Sequence, residues 1–177
     1  MQRKTLRMLS VLLAVVALAG GYSASRLLQQ RETVQPSTLG GDFTLQSSSG
    51  PVSLSDFRGQ VVPIYFGYTF CPDACPTSLT YLSMAIKRLT EQERRQIQPL
   101  FVSIDPERDT PQRLAEYVAH FDTDMLGLTG TVDEVTAVAS QYGVYFKPQK
   151  ADDRDEFYLV DHTSRTYVMA RDGELVV

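Results

Sequence analysis

The chain has 177 residues, a formal net charge of −4 and 43% hydrophobic residues, the composition of one ordinary globular core. That charge balance offers no basic footprint for nucleic acid, so no nucleic-acid partner is expected. Trp is absent, no tract is of low complexity and no internal repeat is found, which leaves a single folded domain as the expectation.

The N-terminus stands apart from that domain. Arg3, Lys4 and Arg7 precede an uncharged run from Met8 to Ala24, and Arg26 follows it. A basic flank before an apolar run is either a cleaved signal peptide or a membrane anchor. The run is about 17 residues long, near the lower limit for crossing a bilayer. The small residues of GGYSAS suit cleavage, and no Cys lies near enough for a lipoprotein anchor. The reading adopted is an uncleaved anchor over residues 1–25, with the positive flank holding the N-terminus in the cytoplasm and the rest exported. Residues 26–41 are polar, with Pro36, Gly40 and Gly41, and read as a linker. Residues 42–177 form the exported domain.

That domain opens on a hairpin: Phe43 and Leu45 alternate with polar residues, SSSG turns, and Val52 and Leu54 alternate again. Val61 to Tyr68 is a nearly continuous apolar run, as expected of a strand buried on both faces. Pro63 within it lacks an N–H and implies a bulge, a strand start or a local loss of pairing. Leu79, Leu82, Ile86 and Leu89 then fall at helical steps. Counting back by the same steps reaches Cys75 and Cys71, which predicts both thiols on one face of the first helical turn. Pro99 to Asp105 is the next strand. A helix follows with Thr110 as N-cap, Pro111 at its first position and an apolar face of Leu114, Tyr117, Val118 and Phe121. Another begins at the capping pair Thr131 and Glu134 and stops at Gly143. The end of the chain reads as an extended segment and then a strand pair turned at RDGE, residues 171–174. The order β, β, β, α, β, α, α, β, β is an α/β sandwich with a mixed sheet. Ligand sites in such sheets lie at the carboxyl ends of strands, which puts the thiols and Asp105 on one rim.

Cys71 and Cys75 are the two cysteines of the chain. In an exported domain they can persist as a disulfide, but a staple closing so short a loop adds little stability. A redox couple or a pair of metal ligands fits the spacing better, although Cys-x-x-x-Cys differs from the usual thioredoxin-type Cys-x-x-Cys. A helix N-terminus would lower a thiol pKa there. His162, in DHTS, would complete a soft, incomplete set of two thiolates and one imidazole suited to copper, whereas a structural zinc site wants four protein ligands. The other histidine, His120, lies beside an apolar helix face and reads as structural. Asp105, in DPERDTP, would orient a ligand or thiol from behind, with turn and capping chemistry the plainer role for Asp109 and Thr110.

The motifs YFGYTFCPDACPTSL, FVSIDPERDTPQRLAEY, LTG and DHTS, in this order, resemble the Sco/SenC family from about Phe43 to Val177. The resemblance implies a thioredoxin-like mixed sheet flanked by helices on a single N-terminal membrane anchor. It implies copper, as Cu(I) or Cu(II), bound by Cys71, Cys75 and His162. The role it implies is assembly of the copper A centre of cytochrome c oxidase. The oxidase subunit carrying that centre would be the partner, with other copper chaperones or thiol reductases as further partners. The alternative is an extracytoplasmic thiol–disulfide oxidoreductase that uses Cys71 and Cys75 as its redox couple; a peroxide-reducing enzyme on the same fold is a third. With no long Arg- and Ser-rich transit segment, a bacterial inner membrane with the domain facing the periplasm is expected. Similar proteins continue into a final helix beyond GELVV, so one sheet face is expected to be less covered here.

Overall fold

The computed structural model describes residues 39–121, 123–152 and 157–176. The expected anchor, and the linker as far as residue 38, lie outside the described residues. No helix among the described residues is long and apolar enough to cross a membrane.

The two unbroken apolar runs form the centre of the sheet. β3 (Val62–Gly67) and β4 (Leu100–Ser103) are buried at every position, as strands covered on both faces must be. They pair in parallel, with Ile64 beside Leu100 and Gly67 beside Ser103. β5 (Leu126–Leu128) continues the parallel set beyond β4, and β8 (Thr166–Met169) closes the other edge antiparallel to β3. α1 (Ala74–Lys87) and the short α2 (Glu91–Arg94) connect β3 to β4, α3 (Pro111–Ala119) connects β4 to β5, and α4 (Val132–Gln141) follows β5. On one face of the sheet Tyr65 and Phe101 stack, and Phe101 meets Tyr117 of α3. On the other face Phe66, Tyr167 and Tyr142, at the end of α4, pack ring against ring. On β8, Tyr167 and Met169 are buried, whereas Thr166 and Val168 on the opposite face are half-buried, so cover is thinner at that edge.

The local signals that rest on side-chain caps hold. Thr110 Oγ1 accepts the Arg113 N–H, with Pro111 at the first helical position. Thr131 and Glu134 each accept the other's backbone N–H. Gly143, at φ 64°, stops α4 where an L side chain would be strained. The opening hairpin is β1 (Thr44–Ser47) paired with β2 (Gly50–Ser53), and Leu54 begins a 3₁₀ turn rather than extending the strand.

Pro63 is accommodated without a bulge. The offset that sets Ile64 beside Leu100, and Val61 in an isolated bridge with Ile97, puts Pro63 level with Pro99. Neither proline has an N–H to donate, so ladder pairing lapses at that one level near the start of β3. Toward β8 Pro63 faces Val168, whose carbonyl turns away to accept the Val176 N–H.

The C-terminal reading needs correction. The extended segment holds a strand, β7 (Val160–His162), whose partner is β6 (Phe146–Pro148). The two form a separate antiparallel arm outside the central sheet. RDGE does turn the chain, with Gly173 at φ 83°, but beyond β8 the chain makes one bridge, Met169 to Leu175, rather than a strand.

Candidate metal centre

Cys75 enters the site on the first turn of α1 and is buried. Cys71 does not share that helix, contrary to the count-back from the apolar face. α1 begins at Ala74 with Asp73 as N-cap, and Cys71 lies before it. The cause is local: Cys71 precedes Pro72, and a residue before proline is pushed out of the α region. Its N–H closes a turn onto the Tyr68 carbonyl instead. Its sulfur then takes a capping role, since the Cys75 N–H points at Cys71 Sγ, 3.4 Å away, while Asp73 offers the helix backbone no side-chain acceptor. First-turn N–H groups have no partner within a helix, so this one is available to the sulfur.

His162 arrives from the arm. Its Nδ1 lies 3.1 Å from the Thr163 carbonyl, which can only accept, so Nδ1 donates there and Nε2 is the nitrogen turned toward the thiols. Nε2 faces Cys75 Sγ at 3.4 Å. Tyr65 and Tyr68 flank the ring nearly at right angles, at centroid distances of 6.4 and 5.8 Å, and fix its plane. The three ligand atoms, Cys71 Sγ, Cys75 Sγ and His162 Nε2, all lie within 4.8 Å of one another. Both cysteines are free thiols, with Cys71 half-buried.

The electrostatics of the metal-free pair differ from expectation at Cys75. Burial pushes its thiol pKa up, and the hydrogen bonds from Tyr68 and Tyr65 do not reverse this. The expectation of a lowered value ignored desolvation, which is the largest contribution for a sulfur that exposes no surface. A metal must therefore displace a proton from Cys75 on binding.

Asp105, just past the end of β4, is 3% exposed. Its carboxylate accepts from Arg108 Nε and from the Tyr158 hydroxyl, both at 2.5 Å. It does not contact the thiols or the imidazole directly. Asp109, read from the sequence mainly as a turn residue, is 1% exposed and accepts from the Thr69 N–H, the Thr69 hydroxyl and the Ser103 hydroxyl. Burial nevertheless leaves its carboxyl above the usual range. His120 stays at the end of α3, with Nδ1 on the Glu116 carbonyl, away from the centre. Gly67 was missed in the sequence: a Cβ there would stand 2.7 Å from Cys75 Sγ. Tyr65 and Tyr68 were hidden in an apolar run that hydrophobic pattern alone explains.

A parallel βαβ core with an antiparallel strand beside β3, and a Cys-x-x-x-Cys pair facing one imidazole at its carboxyl rim, defines a thioredoxin-like protein with a three-ligand thiol–imidazole centre. Residues 31–177 match the SCO1/SenC family profile. The chain belongs to that family. It is 39% identical over 163 residues to the SCO2 homologue of Bos taurus, covering 90% of this chain and 61% of that protein. It is 42% identical over 150 residues to human SCO1, covering 84% and 49%. The chain thus spans about half to three-fifths of the length of these relatives. Among solved structures, copper-bound ScoI of Bradyrhizobium japonicum superposes with a TM-score of 0.72 at 38% identity, covering 78% of this chain and 87% of that one.

Proposed function

We propose that this protein binds copper through Cys71 Sγ, Cys75 Sγ and His162 Nε2 and delivers it during assembly of the copper A centre of cytochrome c oxidase. The observation that carries this reading is the approach of the three ligand atoms to within 4.8 Å of one another. Two thiolates favour Cu(I), and one imidazole adds a ligand acceptable to Cu(II). Three protein ligands leave room for an incoming ligand from the partner, so the ion can be passed on by exchange. Copper-bound relatives of this fold support the choice of metal. The partner is the oxidase subunit that carries the copper A site. The domain is held at the periplasmic face of a bacterial inner membrane by the segment before residue 26, so high-salt and alkaline washing should leave the protein in the membrane fraction.

Thiol–disulfide exchange with a partner's cysteines is the second reading. It is favoured by Cys71, a half-buried residue whose sulfur takes a hydrogen bond from the Cys75 N–H. Attack by Cys71 on a partner disulfide would give a mixed disulfide, which Cys75 would resolve to leave a Cys71–Cys75 disulfide and a reduced partner. His162→Ala separates the two readings. On the delivery reading it retains most disulfide-reducing activity, loses stable Cu(II) and fails to restore oxidase activity in a strain lacking the protein at low copper. Full restoration would give the reductase reading the lead. Cys71→Ser and Cys75→Ser should each abolish the sulfur-to-Cu(II) charge-transfer absorption; unchanged copper stoichiometry in both would end the copper reading.

A further inference from the structure

We propose that the loop from Asp105 to Asp109 is a two-ended brace that sets the reach between the thiols and the imidazole. Asp109 positions the cysteine side, and Tyr158, through Asp105, positions the histidine side. The inference rests on the three-ligand site proposed above.

The need for a brace follows from topology. Cys71 and Cys75 follow a central strand, whereas His162 rides on an arm whose strands pair only with each other. The central ladder therefore does not fix the distance from sulfur to imidazole. Side-chain bonding to one short loop joins the two halves, beside the direct bond from the Val160 N–H to the Tyr68 hydroxyl. On the arm, the Tyr158 hydroxyl donates to Asp105 Oδ1 at 2.5 Å, and Lys150 pairs with Glu107. The Arg108 guanidinium lies over the Tyr158 ring, 3.6 Å from its centroid, while its Nε donates to Asp105 Oδ2 at 2.5 Å. On the other side, Thr69, two residues before Cys71, gives both its N–H and its hydroxyl to Asp109, at 3.0 and 2.5 Å. The loop holds its own shape, because the N–H groups of Arg108 and Asp109 both bond the Asp105 carbonyl and the Ser103 hydroxyl donates to Asp109.

Burial makes these bonds obligatory rather than optional. Asp105, Asp109 and Tyr158 are 3%, 1% and 4% exposed, and a buried polar group that loses its partner regains none from water. Tyr158 lies two residues from Val160, whose N–H bonds the Tyr68 hydroxyl at 3.1 Å, and Tyr68 in turn flanks the His162 ring. Displacement of Tyr158 would therefore reach the imidazole through the backbone of β7 and through the Tyr68 ring. None of these brace residues touches the metal position, so they act as positioning residues.

The test uses the full-length, reduced, metal-free chain, so a failure to bind copper leaves it intact. Tyr158→Phe removes one hydroxyl and keeps the ring beneath Arg108. Tyr142→Phe is the matched control, since it deletes a buried hydroxyl bonded to the Gly41 carbonyl, away from the brace. Tyr158→Phe should speed hydrogen exchange at the Val160 amide about tenfold, the scale of one lost hydrogen bond. It should also move the ¹⁵N shifts of the His162 ring toward a mixture of tautomers. Asp109→Asn should speed exchange at the Thr69 amide by a similar factor. Lys150→Gln, which breaks the pair with Glu107 and lifts the charge from the Tyr158 ring, should act on Val160 in the same direction but less strongly. Tyr142→Phe should lower thermal stability without either local effect. Unchanged Val160 exchange and ring shifts in Tyr158→Phe, or the same changes in Tyr142→Phe, would overturn the proposal.

Discussion

Replacing Gly67 by Ala tests how tightly the sheet holds the Cys75 sulfur. The new methyl would stand 2.7 Å from Cys75 Sγ, 2.9 Å from Phe101 Cε2 and 3.0 Å from Tyr65 Cε1. Ordinary non-bonded separations between carbon atoms are about 3.5–4.0 Å, so the sulfur must retreat by roughly 1 Å and both rings by somewhat less. The rings have little freedom, since they stack with centroids 6.4 Å apart and planes within 10° of parallel. Overpacking of this kind costs about 1–3 kcal/mol, which in a domain of this size lowers the melting temperature by roughly 3–4 °C per kcal/mol. A shift of that size alters the 3.4 Å contact of Sγ with His162 Nε2. Thermal and urea unfolding of the reduced, metal-free protein, with copper retained after gel filtration as a second readout, measures both effects. Gly50→Ala is the comparison: Gly50 has φ 120° and open space around its Cα, so that variant should lose stability through backbone strain alone and keep its copper. A Gly67→Ala protein within about 0.5 kcal/mol of wild type, a margin ordinary for surface changes, and with full copper retention would refute the close-packing argument.

Iodoacetamide at neutral pH should label Cys71 well before Cys75, because Cys75 is buried and its thiol is held protonated, and peptide mass spectrometry would read the order; equal rates would contradict the burial. Thr131→Ala removes a capping-box oxygen from α4 and should cost about 1 kcal/mol in denaturant unfolding, without changing the spectrum of bound copper. The bond from Lys150 holds the Glu107 carboxyl below its usual value, so its stabilising effect is present above the ordinary carboxylate pKa and is lost as pH falls through the depressed one. Because Glu107 is solvent-exposed, the effect is a fraction of a kcal/mol. Lys150→Gln should therefore lower the melting temperature slightly at pH 7 and not at all well below the carboxylate range; an equal deficit at both would assign it to lost packing.

How much of this was legible depended on whether the information was local. The helix starts at Thr110 and Thr131 were readable because a cap is written within four residues. The strands β3 and β4 were readable because burial on both faces leaves an unbroken apolar run. β5 and β6 were not, since three residues are too few to show a period, and β6 reads Phe-Lys-Pro. The helical count that enrolled Cys71 followed a correct apolar face one turn too far, past the restriction that Pro72 imposes. Asp105 drew attention for orienting a ligand or thiol from behind, whereas it holds Tyr158, 53 residues away, and nothing in either neighbourhood announces the pair. The desolvation of Cys75 was likewise invisible, because burial of the sulfur, with Gly67 close beside it, arises only in three dimensions.

The contact between Cys75 and His162 spans 87 positions of the chain. A nascent or partly unfolded domain can present its two thiols side by side, because they are neighbours in sequence, but it cannot present the imidazole until β3, α1 and the arm have all docked. Closing so long a loop is costly in chain entropy, and folding meets that cost before any ion arrives. On the proposed copper reading, His162 would therefore act as a checkpoint on folding. Misfolded copies would offer copper the two sulfurs alone, while finished copies would offer the imidazole as well.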